Sequence, residues 1–514
     1  MTADASTLDR SARPGGDLRA VPALTIASHP NADRVGDRLL LLGIAAGREV
    51  LLTRNEPEFT QPGRALGAPL ADAFISRRPV RLVRAKDGGV VIFPQGGEVT
   101  IEGAARPSFE IAPDAIARGV ALTLFDRVTL VLHTAPAQID EASDALGMVG
   151  QSSAIAEVRR HILQVADLDV PVLIRGETGT GKELVARALH DKSPRSRGNF
   201  IGVNLGALSR ELAVAELFGS KRGAFTGAVQ EREGYFRAAR GGTLFLDEIG
   251  EAPPEVQVML LRALETGEVM PVGAETPVPI DVRIVAATDA KLEAQIEHGQ
   301  FKAPLLHRLA GYTIRVPPLR ERREDIGPLF HRFAREELAR IGEGHRLVPS
   351  DPRADPWLPA SLAASLVRHA WPGNVRELRN VARQLVIGHR GRAQIAAGAW
   401  FGDALRESEP LVLPSSPPPE PRRRPADVSE DELRAALREA AWDLQAAADK
   451  LGIPRPSMYD LLKKHPGIRT AMDLSEAEIA AAYRAHGGDL DAMARALEVS
   501  ARALKRRMKE LKVG

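Results

Sequence analysis

An apolar, strand-forming run from Val170 to Arg175 leads straight into Gly176-Glu177-Thr178-Gly179-Thr180-Gly181-Lys182-Glu183 and then into a helix-forming stretch. This is the spacing of a phosphate-binding loop between strand and helix. Its glycines let backbone N–H groups face phosphate, and Lys182 is placed to reach the terminal phosphates. Glu183 stands where a Ser or Thr hydroxyl usually ligates Mg²⁺, so the metal must draw on other ligands. Further along, Gly-Gly-Thr-Leu-Phe-Leu-Asp-Glu sets Asp247 and Glu248 at the end of a second apolar run. Asp247 suits a hydrated Mg²⁺, and Glu248 suits the orientation of an attacking water. Together the two motifs predict a parallel α/β sheet and nucleotide hydrolysis.

The rest of the chain sets this centre among other units. With 514 residues the chain exceeds one hydrophobic core, and about three domains are expected. Residues 1–20 are small and charged, as in a disordered leader. Over 21–135, short runs such as LLLLGI, PVRLVRA, GVVIFP and LTLFDRVTLVLH alternate with Gly, Pro and Asp, which predicts an all-β sandwich. A linker over 136–147 precedes an α/β domain at 148–318 and a helical lid at 319–400. Residues 401–428 are rich in Pro, Ser and charge and read as an extended linker. The absence of cysteine sets thiol and disulfide chemistry aside, and the histidines lack zinc-ligand spacing. No apolar run of about twenty residues appears, so no membrane partner and a cytoplasmic location are expected. A net charge of +2 requires any nucleic-acid contact to come from local basic faces.

The segment from Val149 to Arg390 resembles bacterial enhancer-binding proteins, the sigma-54-dependent activators. The motifs that carry the likeness are GETGTGKE, ELFG (Glu216 to Gly219), GAFTGA (Gly223, Ala224, Phe225, Thr226, Gly227, Ala228), GGTLFLDEIG, PPLRERREDI and WPGNVREL, in that order. The resemblance implies an AAA+ ATPase that uses ATP and Mg²⁺, assembles with itself into rings, commonly hexamers, and engages sigma-54 RNA polymerase holoenzyme through GAFTGA. It also implies roles for single residues. Asn204 would hold Glu248 until ATP is sensed, and Thr288 would sit beside the γ-phosphate. Arg376 would report nucleotide state from the lid, and Arg308 would act as an arginine finger in a neighbouring subunit. Four positions depart from the family pattern: Lys302 replaces an arginine, Pro304 an aspartate, and Ser220-Lys221 a His-Glu pair. Lysine keeps the charge but lacks arginine's planar fork, which points to weaker trans-activation.

The β-rich segment resembles a forkhead-associated domain through Gly63-Arg64 and Ser76-Arg77-Arg78. That likeness implies a phosphothreonine protein or a Ser/Thr kinase as partner, with Arg64, Ser76 and Arg77 on the phosphate. The alternative is a sandwich that makes protein contacts without phosphate.

At the other end, residues 429–464 align without gaps onto 475–510. Ser429/Ser475, Glu432/Glu478, Leu444/Leu490, Ala448/Ala494 and Lys463/Lys509 are among the identical pairs. The tail is therefore read as an all-α tandem, 429–468 and 475–514. Each copy resembles a Fis-type helix-turn-helix, which implies double-stranded DNA at an upstream enhancer. Arg502, Lys505, Arg506, Arg507 and Lys509 make the second copy the more basic, against Arg455, Lys463 and Lys464 in the first. The leading reading is thus a DNA-bound activator that uses ATP hydrolysis to remodel the sigma-54 polymerase closed complex. Its competitors are a AAA+ ATPase acting on another protein and a DNA-binding regulator with little ATPase activity.

Overall fold

The computed structural model describes residues 20–61, 66–94, 99–137, 145–224, 230–348, 351, 353–396, 428–440, 442, 444–451, 453, 458, 461–462, 464–465, 468–469 and 471–511. The chain forms two compact units, Met1–Glu409 and Pro410–Gly514.

The first unit opens with β1 (Ala20–Ser28), β2 (Arg38–Leu40), α1 (Leu42–Ala45), β3 (Val50–Leu52), β4 (Val80–Arg84), β5 (Val90–Phe93), β6 (Val99–Ile101), β7 (Phe109–Ile111), α2 (Pro113–Arg118), β8 (Val120–Leu124) and β9 (Val128–Pro136). The strands pair antiparallel into two sheets, β2-β1-β9-β8-β6 and β3-β4-β5-β7. Alternate residues of the second sheet, such as Val80 and Leu82 or Val90 and Ile92, point at Leu24, Ile26, Leu122, Leu130 and Leu132 of the first. An antiparallel sandwich is what the runs predict. The LLLLGI run departs from that expectation: only its first residues extend β2, and Leu42–Ala45 coils into α1. Leu41 and Ile44, one helical turn apart, are both buried, so the core takes them at helical spacing. The long run LTLFDRVTLVLH is two strands, turned at Phe125 and Asp126 with φ of 52° and 50°.

The central domain follows in βα order: α3 (Ser153–Val165), β10 (Val172–Arg175), α4 (Lys182–Asp191), β11 (Phe200–Asn204), α5 (Arg210–Phe218), α6 (Tyr235–Ala238), β12 (Thr243–Asp247), α7 (Pro254–Thr266), β13 (Glu268–Val269), β14 (Val278–Pro279), β15 (Arg283–Thr288), α8 (Leu292–Glu297), α9 (Ala303–Leu309) and β16 (Tyr312–Arg315). Its parallel sheet runs β11-β12-β15-β10-β16. Both faces are covered, which is why its strands read as unbroken apolar runs. Leu173, Leu244, Leu246 and Ala286 face one core; Val172, Ile174, Phe245 and Val285 face the other. The lid packs α10 (Ile326–Arg340), α11 (Ala360–Arg368) and α12 (Asn374–Gly388) around Phe330, Trp357 and Trp371.

The second unit contains α13 (Glu430–Glu439), α14 (Leu444–Leu451), α15 (Glu476–Ala485), α16 (Leu490–Ala496) and α17 (Ala501–Leu511). Ser429 caps α13 with Glu432 and Ser475 caps α15 with Glu478, two reciprocal capping boxes at equivalent repeat positions. The buried residues repeat as well. Leu433, Ala436, Ala448, Ile453 and Met458 in one copy correspond to Ile479, Ala482, Ala494, Val499 and Leu504 in the other. Among the described residues no helix is long and apolar enough to cross a membrane.

Candidate functional site

Parallel pairing brings the acidic and polar strand ends to one rim of the central sheet. Asn204 at the end of β11 lies opposite Asp247 at the end of β12, and Thr288 at the end of β15 lies opposite Arg175 at the end of β10. Ligands of open α/β sheets bind at this carboxyl edge. The phosphate loop Gly176–Gly181 leaves β10 here and caps α4, with Gly179 and Gly181 at φ of 78° and 102°. Gly179 needs its missing side chain for a second reason, because a Cβ there would lie 2.3 Å from the carbonyl of Gly373 at the base of the lid.

Lys182 Nζ donates to the carbonyls of Gly176 at 2.8 Å and Glu177 at 3.3 Å. Its burial lowers the ammonium pKa, against the pull of Asp289, Asp247 and Glu248. Burial also raises the Asp247 carboxyl, although its Oδ1 accepts the Glu248 N–H at 3.0 Å and Lys182 favours its charge. Glu248 sits at φ 55°, a left-handed backbone that non-glycine residues adopt at some cost. Thr288 is buried; its carbonyl accepts Gly176 N at 3.1 Å and its Oγ1 accepts Ala290 N at 3.0 Å. Asn204 Oδ1 accepts Ala207 N at 3.1 Å. A Cβ on Gly206 would meet the Glu248 carboxylate at 2.5 Å and Asn204 Oδ1 at 3.3 Å, so both side chains crowd the same glycine.

The lid closes on the loop from the other side. Val375 N donates to Gly179 O at 3.0 Å, and exposed Arg376 lies in the first turn of α12 with its Cβ 3.2 Å from where a Gly179 Cβ would stand. Arg308 lies on α9 and reaches Glu265 of α7 at 3.6 Å. Three further residues belong to this site and were given no role from the sequence. Arg320 grips the Glu177 carboxylate with two hydrogen bonds of 2.7 and 2.5 Å, which holds that carboxyl below its usual range. Asn374 donates to Glu177 and Thr178, and Asp289 accepts the Thr178 hydroxyl. Arg320 and Asn374 lie inside PPLRERREDI and WPGNVREL, so the motifs carried the signal.

Residues 148–315 match the family described as sigma-54 interaction domain, 320–399 the AAA+ ATPase lid domain, and 424–465 the bacterial regulatory protein, Fis family. The transcriptional regulator NtrC of Azospirillum brasilense is 39% identical over 72% of this chain and 73% of its own length. The chain belongs to the sigma-54-dependent activators. The C4-dicarboxylate transport transcriptional regulatory protein DctD of Rhizobium meliloti is 40% identical over 65% of this chain and 67% of its own. A solved structure of NtrX from Brucella abortus in complex with ATP is 30% identical over 71% and 70%, with a TM-score of 0.44. The central domain of this activator is an AAA+ ATPase, and its tail carries a Fis-type helix-turn-helix.

Of the GAFTGA segment of this activator, Gly223 and Ala224 are described, while Phe225, Thr226, Gly227 and Ala228 lie outside the described residues. The base of the segment is firmly held. Ser220 N donates to Arg232 O at 3.0 Å, Arg232 N returns the bond to Ser220 O at 2.9 Å, and Lys221 N donates to Val272 O at 2.9 Å. Lys221 Nζ then reaches Glu231 at 2.9 Å. The departure at Ser220-Lys221 thus builds an ion pair across the loop base.

In the sandwich, Ser76 Oγ accepts Arg78 N at 2.9 Å and Arg77 is exposed; Arg64 lies outside the described residues. In the tail, Lys505, Arg506 and Lys509 are exposed along α17. Arg507 is packed at its flank and pairs with Glu510 at 3.4 Å. Lys464 is exposed; Arg455, Lys463 and the Arg502 side chain lie outside the described residues.

Proposed function

We propose that this activator, bound to enhancer DNA through its tail and assembled in a ring, remodels the sigma-54 polymerase closed complex with ATP. The convergence of the phosphate loop, Asp247, Glu248, Thr288 and the lid at one sheet edge is the observation that supports it. Gly176–Glu183 bind the phosphates, with Lys182 turning from the loop carbonyls to the terminal oxygens. Mg²⁺ in such sites takes one or two carboxylates plus substrate phosphates, and half-buried Asp247 is the carboxylate suited to hold it through water and so draw charge from the phosphates. Glu248 orients the attacking water, Asn204 restrains Glu248, Thr288 and Arg376 sense the γ-phosphate, and Arg308 serves the neighbouring subunit. Gly223–Ala228 touch sigma-54. Arg64, Ser76 and Arg77 read phosphothreonine on a partner of the sandwich.

Transcription from a sigma-54 promoter with purified polymerase, activator and ATP tests this reading. ATP-dependent open complexes support it; ATP turnover without them leaves a remodeller of some other protein.

A further inference from the structure

The inner strands of the sheet β2-β1-β9-β8-β6 are buried on both faces: all of β8 and residues Val128–His133 of β9 are out of solvent. An antiparallel sheet of a free sandwich keeps one face wet. Here the lid covers it. Ala27, Ala121 and Val131 form an apolar cluster with Ala364 and Val367 of α11. Thr129 Oγ1 donates to Ala360 O at 2.9 Å, and Asp126 accepts Ser361 N at 3.0 Å at the start of the same helix. The backbones approach so closely that a Cβ on Gly327 of α10 would lie 2.3 Å from Ala27 O.

Between sandwich and phosphate loop runs the segment Leu319–Asp325, and its residues face opposite ways. Toward the nucleotide site, Leu319 N donates to Asn374 Oδ1 at 2.8 Å, Arg320 grips Glu177, and buried Arg322 reaches Thr180 O at 3.4 Å. Toward the sandwich, Arg323 donates to Gly119 O at 3.1 Å, and Glu324 lies 3.5 Å from His133 Nδ1 of β9. Arg38 of β2 adds a bond to Gln151 O at 2.9 Å, beside the Gln151 N–H that Asp325 accepts at 2.6 Å. Packed interfaces of this kind switch between discrete arrangements rather than deform smoothly.

We propose that the amino-terminal domain is a positioning element of the ATPase: docked on α11, it holds Leu319–Asp325 against the phosphate loop and so sets nucleotide affinity. The inference rests on ATP turnover by the central domain, which wild-type activity checks separately. Val131→Glu puts a charge into the docked face, where Val131 packs with Ala364 and Val367; Val131→Ile keeps the face apolar. In the full-length chain Val131→Glu raises the ATP KM and the ADP Kd about five- to tenfold, with kcat at saturation little changed, and Val131→Ile behaves as wild type. Should Val131→Glu fail to fold, Asp126→Ala combined with Arg323→Ala removes two edge contacts and shifts KM the same way. Docking itself is read by Asp126→Cys with Ser361→Cys in this cysteine-free chain, which a short bismaleimide joins within one molecule. Absence of that crosslink, or an unchanged KM in a variant that has lost it, overturns the proposal.

Discussion

The Asn374 side-chain amide donates to Glu177 Oε2 at 3.2 Å and to Thr178 O at 3.1 Å, while its Oδ1 accepts Leu319 N at 2.8 Å. One buried side chain thereby ties the lid, the phosphate loop and the Leu319–Asp325 segment. Asn374 sits at φ 53°, a conformation asparagine tolerates better than most residues. Asn374→Ala leaves the Leu319 N–H unsatisfied and strains the backbone, a loss of about 1–3 kcal/mol. ADP affinity falls with it. Calorimetric titration of ADP into Asn374→Ala and wild type checks this, and equal affinities would remove Asn374 from the site.

Lys182→Ala should abolish nucleotide binding, since it removes the one lysine of the loop. Glu248→Gln keeps the side-chain shape and loses the carboxylate that orients water. Binding should persist while turnover falls at least about a hundredfold. Steady-state ATPase rates with parallel ADP titrations separate the two, and comparable turnover in Glu248→Gln would overturn its role.

The central sheet was legible because phosphate motifs fix their own context: a loop of that spacing must leave a strand and enter a helix. Strand-end residues Thr288 and Asn204 came from the family resemblance, and the parallel pairing sets both at the same rim of the sheet. Arg320 and Asn374 escaped because their partner Glu177 lies some 140 to 200 residues away in sequence, and only packing of the lid brings them to the loop. α1 escaped because a run of leucines has no period to distinguish strand from helix. The lid-covered face of the sandwich gave a hint in the apolar runs of β8 and β9, which lack alternation.

Three histidines, His29, His133 and His331, lie where the sandwich meets the lid. Burial lowers His133 to about 3 and His331 to about 4. Unfolded histidine titrates near 6.5, so their contribution to stability is full above that pH and is lost as pH falls toward 4. Glu324 runs the other way: pushed up to about 8 by burial and Asp325, its contribution is full below 4.5 and lost as pH rises through 8. Both ring nitrogens of His331 are buried without a hydrogen-bond partner among the described residues. His331→Leu should therefore stabilise the chain by about 1–3 kcal/mol and flatten its loss of stability between pH 6.5 and 4. Calorimetric melting of both chains across that range checks it; an unchanged slope would show that His331 does not control it.

Thr226→Ala should leave ATP turnover within about twofold of wild type and remove open-complex formation, because the loop it occupies is proposed to touch the partner rather than nucleotide. Lys221→Ala breaks only the solvent-screened ion pair to Glu231 at the loop base. Its effect on transcription should be the smaller of the two. Abortive initiation assays on both variants rank them, and a Thr226→Ala protein that still activates transcription would remove the loop from sigma-54 contact.

The tail offers two candidate surfaces for DNA, and they differ in charge. The matched Fis-type region ends at residue 465, within the first copy, yet the second copy repeats its capping box and its buried positions. On α17, Lys505, Arg506 and Lys509 are exposed, and Glu510 takes Arg506 at 3.7 Å and Arg507 at 3.4 Å. The exposed cationic face is thus carried chiefly by Lys505, Arg506 and Lys509, with Arg507 packed beside it. Each lysine or arginine that neutralises a phosphate adds about 0.9 to the slope of log affinity against log salt. Lys505→Ala with Arg506→Ala should therefore weaken DNA binding and lower that slope by about 2. Lys463→Ala with Lys464→Ala, in the first copy, should do less of both. Mobility-shift titrations at several salt concentrations compare the two pairs; a larger loss from the first-copy pair would reverse the ranking and make the second copy the accessory module.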